Sequence, residues 1–243
     1  MIDASSTYQD LERREVSAAI LPVGATEGHG PHLPLNTDSV QTEVVAERMA
    51  ERLNAFLLPG IAFGNSQVLG DFKGTISISP NTLATTVKEI GHCLLDQGFR
   101  RIIVLNGHGG NFILKTAVRE LNLAQRQGKV ILLNVYEVGE LRSRVLDSAS
   151  DDVHAGEAET SLMLHLEPEH VGDERVDHVP DIDGWVYFDY LRMKEFCPEG
   201  VWGRSSLATP EKGKQLLEGT VDLLVEQVNA TFMRLEGSFN ENS

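Results

Sequence analysis

The chain is poor in cysteine and in basic residues, and it has no long apolar run. Cys93 and Cys197 are its only two cysteines. That excludes a disulfide framework and a thiolate metal site, and it suits a reducing cytoplasm. Cys93 is expected in a helix, as a core residue. No stretch approaches the roughly 20 apolar residues that a membrane span needs, so no membrane partner is expected. Met1 to Val16 is polar and acidic, without a signal-peptide pattern. Lysine and arginine total 21 against 36 acidic residues, a formal net charge of −15. Such a surface repels phosphates, which argues against a nucleic-acid partner. Internal repeats and heptads are absent. So is a G-x-S-x-G nucleophile elbow, which makes covalent catalysis the weaker idea.

What remains is an ordinary globular composition over 243 residues, read as one domain spanning 1–243. Ala18–Val23 and Arg101–Leu105 are short apolar runs expected as buried strands, with Val130–Val135 as the next. Between them the pattern predicts helices over Ser39–Leu53, capped by Thr37 or Asp38, then from Pro80 to Gly98, and over Phe112–Gln125. Ala55–Leu58 is a further apolar run. Val171–Thr209 is irregular, holds Trp185 and Trp202, and is expected as a covering loop. A last helix is expected from Pro210 to about Leu235. Alternating strands and helices with apolar strands define an α/β fold whose mostly parallel sheet is covered on both faces.

Ligands of such sheets sit beyond the carboxyl ends of the strands. The first strand runs straight into Glu27-Gly28-His29-Gly30-Pro31-His32, followed by Asp38, and the second into Asn106-Gly107-His108-Gly109-Gly110-Asn111. Side chains at i and i+2 of an extended segment point the same way, so Glu27 and His29 face one pocket. Asp38 returns nine residues after His29, where a carboxylate could bridge two ions. A further candidate is Glu159, which shares a helix face with Leu162 and Met163 and therefore needs a partner, for which a metal is suited. Any one of these residues alone has an ordinary explanation: a hydrogen-bonded histidine, a helix cap, an arginine-paired glutamate. Their recurrence at strand ends is what favours a metal. Carboxylates and imidazoles without cysteine suit Zn, Mn or Fe(II). A pair of such ions activates water and polarises a carbonyl, which leads to hydrolysis of an amide-like bond.

Three segments resemble the creatininase (creatinine amidohydrolase) family in order: Leu21 to Asp38, Asn106 to Asn111, and His154-Ala155-Gly156-Glu157-Ala158-Glu159-Thr160-Ser161. Phe72-Lys73-Gly74-Thr75-Ile76-Ser77 is a weaker fourth. The resemblance implies a three-layer α/β/α hydrolase with two divalent ions, zinc foremost and Mn or Fe as alternatives, assembled as a homohexamer. It places Glu27, His29, Asp38 and His108 as metal ligands, His154 as a catalytic proton shuttle, and Glu159 as an acidic residue close to the metals, expected to be catalytic with His154. Creatininase itself carries a glutamate ligand where this chain has Gly110, and Glu159 is expected to supply that carboxylate. The loop Asn65–Gly70 also departs from the family, on the substrate side, which makes creatinine a doubtful substrate and Ser66, with Trp185 and Trp202, candidate substrate contacts. The implied activity is hydrolysis of a non-peptide C–N bond of a small molecule. Alternatives are a peptidase on a short modified precursor peptide, a formamidopyrimidine-type deformylase, or a metal- or ligand-binding module without turnover.

Overall fold

The computed structural model describes residues 1–124, 128–182 and 188–240. Its elements in chain order are β1 (Ile2–Asp3), α1 (Tyr8–Arg13), β2 (Ala18–Val23), α2 (Thr37–Leu53), β3 (Phe56–Leu57), α3 (Pro80–Asp96), β4 (Arg101–Asn106), α4 (Leu114–Ala124), β5 (Lys129–Asn134), α5 (Gly139–Val145), α6 (Glu157–Leu166), β6 (Asp177–His178), β7 (Gly203–Arg204) and α7 (Pro210–Asn240). Five strands form one parallel sheet in the order β1-β3-β2-β4-β5. β6 and β7 form a separate short antiparallel pair.

The apolar strands send alternate side chains to opposite faces. Ile20, Ile103, Leu105, Ile131 and Leu133 pack with Val45 and Met49 of α2 and with Leu217, Val221, Leu224 and Phe232 of α7. Ala19, Leu21, Val23, Ile102, Val104 and Val130 pack with Leu83 and Val87 of α3 and with Leu114, Val118 and Leu121 of α4. The architecture is therefore three-layer α/β/α. Ser79 caps α3 by accepting from the Thr82 amide at 3.1 Å, with Pro80 in the first turn. Gly98, at φ +94°, turns the chain back toward β4.

Several boundaries move. Helix α2 begins at Thr37, with Asn36 at its N-cap, so Asp38 lies inside the first turn and is not a cap. Gly109–Asn111 forms a 3₁₀ turn that delays α4 to Leu114. β5 starts one residue early, at Lys129, and α7 runs on to Asn240. Cys93 is on α3 as expected but is exposed, beside the packed stripe of Leu83, Val87 and Leu94. Among the described residues, no helix is long and apolar enough to cross a membrane.

β2 and β4 are neighbours in register, with Val23 opposite Asn106, so their following loops start side by side. Helix α2 lies against both loops. A Cβ on Gly107 would overlap the Thr42 side chain, and glycine there lets α2 approach. Phe232 is 1% exposed in the α2/α7 core, whereas Phe112 is 69% exposed. Phe232→Ala is expected to cost about 3–5 kcal/mol in chemical denaturation, and Phe112→Ala less than about 0.5.

Candidate metal centre

Glu27 and His29 lie on the loop leaving β2, and His108 on the loop leaving β4. Asp38 and Glu159 occupy the first turns of α2 and α6, where the helix dipole favours a negative charge. His154 lies just ahead of α6, its backbone paired with Trp202 in both directions (2.8 and 3.0 Å). The ligand atoms of these residues form three overlapping groups, each within 4.8 Å: Glu27–Asp38–His108, His29–Asp38–Glu159 and Glu27–His29–His154. Asp38 belongs to two of them. Its Oδ2 lies 3.0 Å from His108 Nδ1 and its Oδ1 lies 3.1 Å from His29 Nε2.

The imidazoles share one arrangement. His29 Nδ1 meets the Glu27 carbonyl at 3.1 Å, His108 Nε2 meets the Asn65 carbonyl at 3.1 Å, and His154 Nε2 meets the Gly28 carbonyl at 2.9 Å. A carbonyl oxygen only accepts, so each of these ring nitrogens carries the proton. The other nitrogen of each ring faces carboxylate. His108 Nδ1 is 3.2 Å from Glu27 Oε1, His29 Nε2 is 3.8 Å from Glu159 Oε2, and His154 Nδ1 is 3.8 Å from Glu27 Oε1. In neutral rings these would be lone pairs set against anions, an arrangement that a cation reconciles.

Burial sharpens the requirement. Glu27 is 0% and Asp38 is 3% exposed. Both Glu27 oxygens and Asp38 Oδ2 lack a hydrogen-bond partner. Carboxylates buried without compensation cost several kcal/mol each. Burial opposes charge on His29, but Asp38 and then Glu159 outweigh it and raise its pKa to about 10. Burial likewise opposes charge on His108, and Glu27 and Asp38 lift it well above the usual imidazole range. Burial would raise the Asp38 carboxyl, but His29 and His108 hold it below the usual carboxylate range. His154 differs: burial and then His29 lower its pKa, which leaves the ring neutral near pH 7. The orphaned carboxylate oxygens and the aligned imidazole nitrogens fit divalent metal. Glu27, His29, Asp38, His108 and Glu159 offer nitrogen and oxygen donors of the kind Zn, Mn and Fe(II) accept.

The other expected contacts are not members of these three groups. Ser66 is fully buried on the loop after β3, beside the Asn65 carbonyl that holds His108, and its Oγ has no hydrogen-bond partner. The Trp202 indole packs against Phe188 and Phe196, with ring centroids 5.7 and 5.8 Å away, and is 5% exposed. Trp185 lies outside the described residues. His32 bonds Thr160 Oγ1 at 2.9 Å, tying the first loop to α6.

Some supports carried no sequence signal of their own. Asp152 caps α6: its Oδ1 accepts from the Glu157 amide at 2.5 Å and its Oδ2 from the Ala158 amide at 3.2 Å, while Arg142 binds Oδ2 at 2.6 Å. Burial pushes Asp152 up to about 6 despite Arg142. Glu157 is fully buried against Lys212 and Ser148.

A parallel α/β/α sandwich with carboxylates and imidazoles gathered at its strand ends defines a metal-binding hydrolase architecture. The creatinine amidohydrolase family model matches residues 4–228, and the chain belongs to the creatininase family. It is 35% identical over 225 residues to a mycofactocin precursor peptide peptidase of Mycobacterium ulcerans, covering 86% of this chain and 83% of that one. It is 33% identical to a creatinine amidohydrolase of Pseudomonas putida, covering 93% and 95%. Solved creatininases superpose along nearly the whole chain: a manganese form at TM-score 0.81 and a mutant of Zn–Zn type at 0.80, each 29% identical and covering 95% of this chain and 98% of its own. The chain is thus a hydrolase of the creatininase family, as expected.

Because Asp38 serves two groups, Asp38→Asn is expected to lower bound zinc by about half or more, measured by elemental analysis after dialysis against zinc. Full retention would remove the bridging assignment.

Proposed function

We propose that the chain is a metal-dependent amidohydrolase acting on a non-peptide C–N bond of a small molecule: an amide, a cyclic amide or a formamide. The observation that carries this reading is Asp38, with one carboxylate oxygen toward each of two histidine–carboxylate groups. Glu27, Asp38 and His108 would hold one ion, and His29, Asp38 and Glu159 a second. Zinc is the first choice, with Mn and Fe(II) as alternatives. Ions there would supply Lewis acidity and a water of lowered pKa.

The chain's own residues do the rest. His154 has its Nε2 committed to the Gly28 carbonyl, so its proton exchange runs through Nδ1, which faces the carboxylates. Its lowered pKa keeps Nδ1 unprotonated at rest, so it can accept a proton released during turnover and pass it to a leaving nitrogen. The Ala155 amide donates to Glu159 Oε2 at 2.5 Å, and the same oxygen lies 3.8 Å from His29 Nε2. Ser66 Oγ, buried and unpartnered, is assigned to a polar group of the substrate. Trp202 acts through its backbone, which clamps His154, and Trp185 is kept as a candidate pocket wall. The same reading takes 1–243 as one domain, in a cytoplasmic homohexamer by family resemblance.

A second reading, peptidase action on a short modified precursor peptide, is favoured by the 35% identity to the mycobacterial peptidase. A screen of the zinc-reconstituted protein against cyclic amides, formamides and short peptides separates the two. Turnover of small amides alone supports the first reading, and turnover of peptides alone the second. Inertness to all three classes removes both. In either case His154→Ala is expected to keep its metal while turnover falls by ~10²-fold or more. Unchanged turnover would cancel the shuttle role.

A further inference from the structure

We propose that Asn65, Gly110 and Asn111 form a positioning set that fixes Nδ1 as the metal-facing nitrogen of His108. This rests on the metal reading of the site. A histidine can bind through either ring nitrogen, and the choice follows the partner of the other one. Here that partner is the Asn65 backbone carbonyl, 3.1 Å from His108 Nε2. The hydrogen bond leaves Nδ1 directed at Glu27 Oε1 and Asp38 Oδ2.

Asn111 holds the carbonyl-bearing residue in place. It is fully buried. Its Oδ1 accepts from the Asn65 amide at 2.9 Å, and its Nδ2 donates to the Gly24 carbonyl at 3.2 Å and to Asn106 Oδ1 at 3.0 Å. One amide side chain thus joins the loops that follow β2, β3 and β4. Asn106 grips His108 itself, accepting from its amide at 3.2 Å and donating to its carbonyl at 3.0 Å. Asn65 Nδ2 closes the set by donating to the Gly110 carbonyl at 3.1 Å.

Gly110 supplies the space. A Cβ built there would overlap both the Asn65 carbonyl oxygen and His108 Nε2, the two ends of the bond that orients the ring. No side chain fits at 110 while the bond exists. A carboxylate from this position and the Asn65–His108 bond are therefore mutually exclusive in this chain. The second group draws its carboxylate from Glu159 on α6 instead. Gly110 is in this sense a condition of the ring's orientation, not simply a missing ligand.

The test uses zinc as probe, with affinity measured by competition against a chromophoric chelator. In parallel, ring ¹⁵N shifts of histidine-labelled protein report which nitrogen is protonated, with His108 assigned by its loss in His108→Gln. The parent is expected to show His108 protonated at Nε2 and metallated at Nδ1. Gly110→Ala and Asn111→Ala are each expected to weaken zinc binding by about 10- to 100-fold and to lose the single His108 tautomer. A merely structural role would lower thermal stability without changing that tautomer. Affinity within about 2-fold of the parent together with an unchanged His108 tautomer, in a folded variant, overturns the proposal. If Asn111→Ala does not fold, Gly110→Ala decides alone. A parent that binds no zinc defeats the metal reading itself, and the His108 tautomer in parent and variant then decides the positioning role by itself.

Discussion

Glu27 and Asp38 are sealed from solvent within reach of the same imidazole, and the need to balance their charge shapes everything around them. Two buried anions this close repel, and the backbone offers them no N–H donors. The surrounding rings could have turned their N–H groups inward. They turn them outward instead, onto the carbonyls of Glu27, Gly28 and Asn65. The protein thus spends its donors on its own backbone and keeps the inner nitrogens as bases. A site built that way is stable only with positive charge at its centre, and a divalent ion meets that need more fully than protons do.

The fold makes the convergence possible without strain in the sheet. Parallel strands β2 and β4 end level, so Glu27, His29 and His108 leave from adjacent points. Helix α2 crosses behind both loops and presents Asp38 from its first turn. Helix α6, capped by Asp152 and braced by Arg142, presents Glu159 in the same way. Asp38 and Glu159 thus come from the first turns of two packed helices, while Glu27, His29 and His108 come from loops anchored at adjacent strand ends. The single φ-positive non-glycine in this region is Ala155 at +49°, where the chain turns from His154 into α6. That left-handed residue follows His154 directly, and its amide is the one that binds Glu159 Oε2.

How much of this was legible depended on whether side chains or backbone carried the information. The continuous apolar runs of β2 and β4, and the Ser79-Pro80 start of α3, announced themselves because burial and capping restrict residue type. The Glu27/His29 spacing and the apolar neighbours of Glu159 pointed inward for the same reason. What stayed hidden had no residue signature. Any residue offers a carbonyl, so Gly28 and Asn65 could not be singled out as tautomer anchors. Helix α1 buries none of its residues and β1 pairs over two, so neither had a hydrophobic pattern to read. Cys93 looked like core by residue type, but the α3 stripe that packs is set by Leu83, Val87 and Leu94, and the cysteine falls beside it.

The division between core and cover also bears on how one metal framework serves relatives with different named substrates. The proposed ligands come from the loops after β2 and β4 and from the first turns of α2 and α6. The cover is built separately. Phe72, on the loop after β3, packs where a Cβ on Gly28 or Gly200 would fall, and Lys194 lies 5.4 Å above its ring. Leu69 and Met193 join the same apolar cluster as Phe188, Phe196 and Trp202. Through Trp202, that cluster is hydrogen-bonded directly to the backbone of His154. Substitutions in the cover can therefore reach the proposed proton-carrying histidine without touching a proposed metal ligand. Val68 and Leu69 of the 65–70 loop belong to this same cluster, so that loop is part of the cover and not of the framework beneath it.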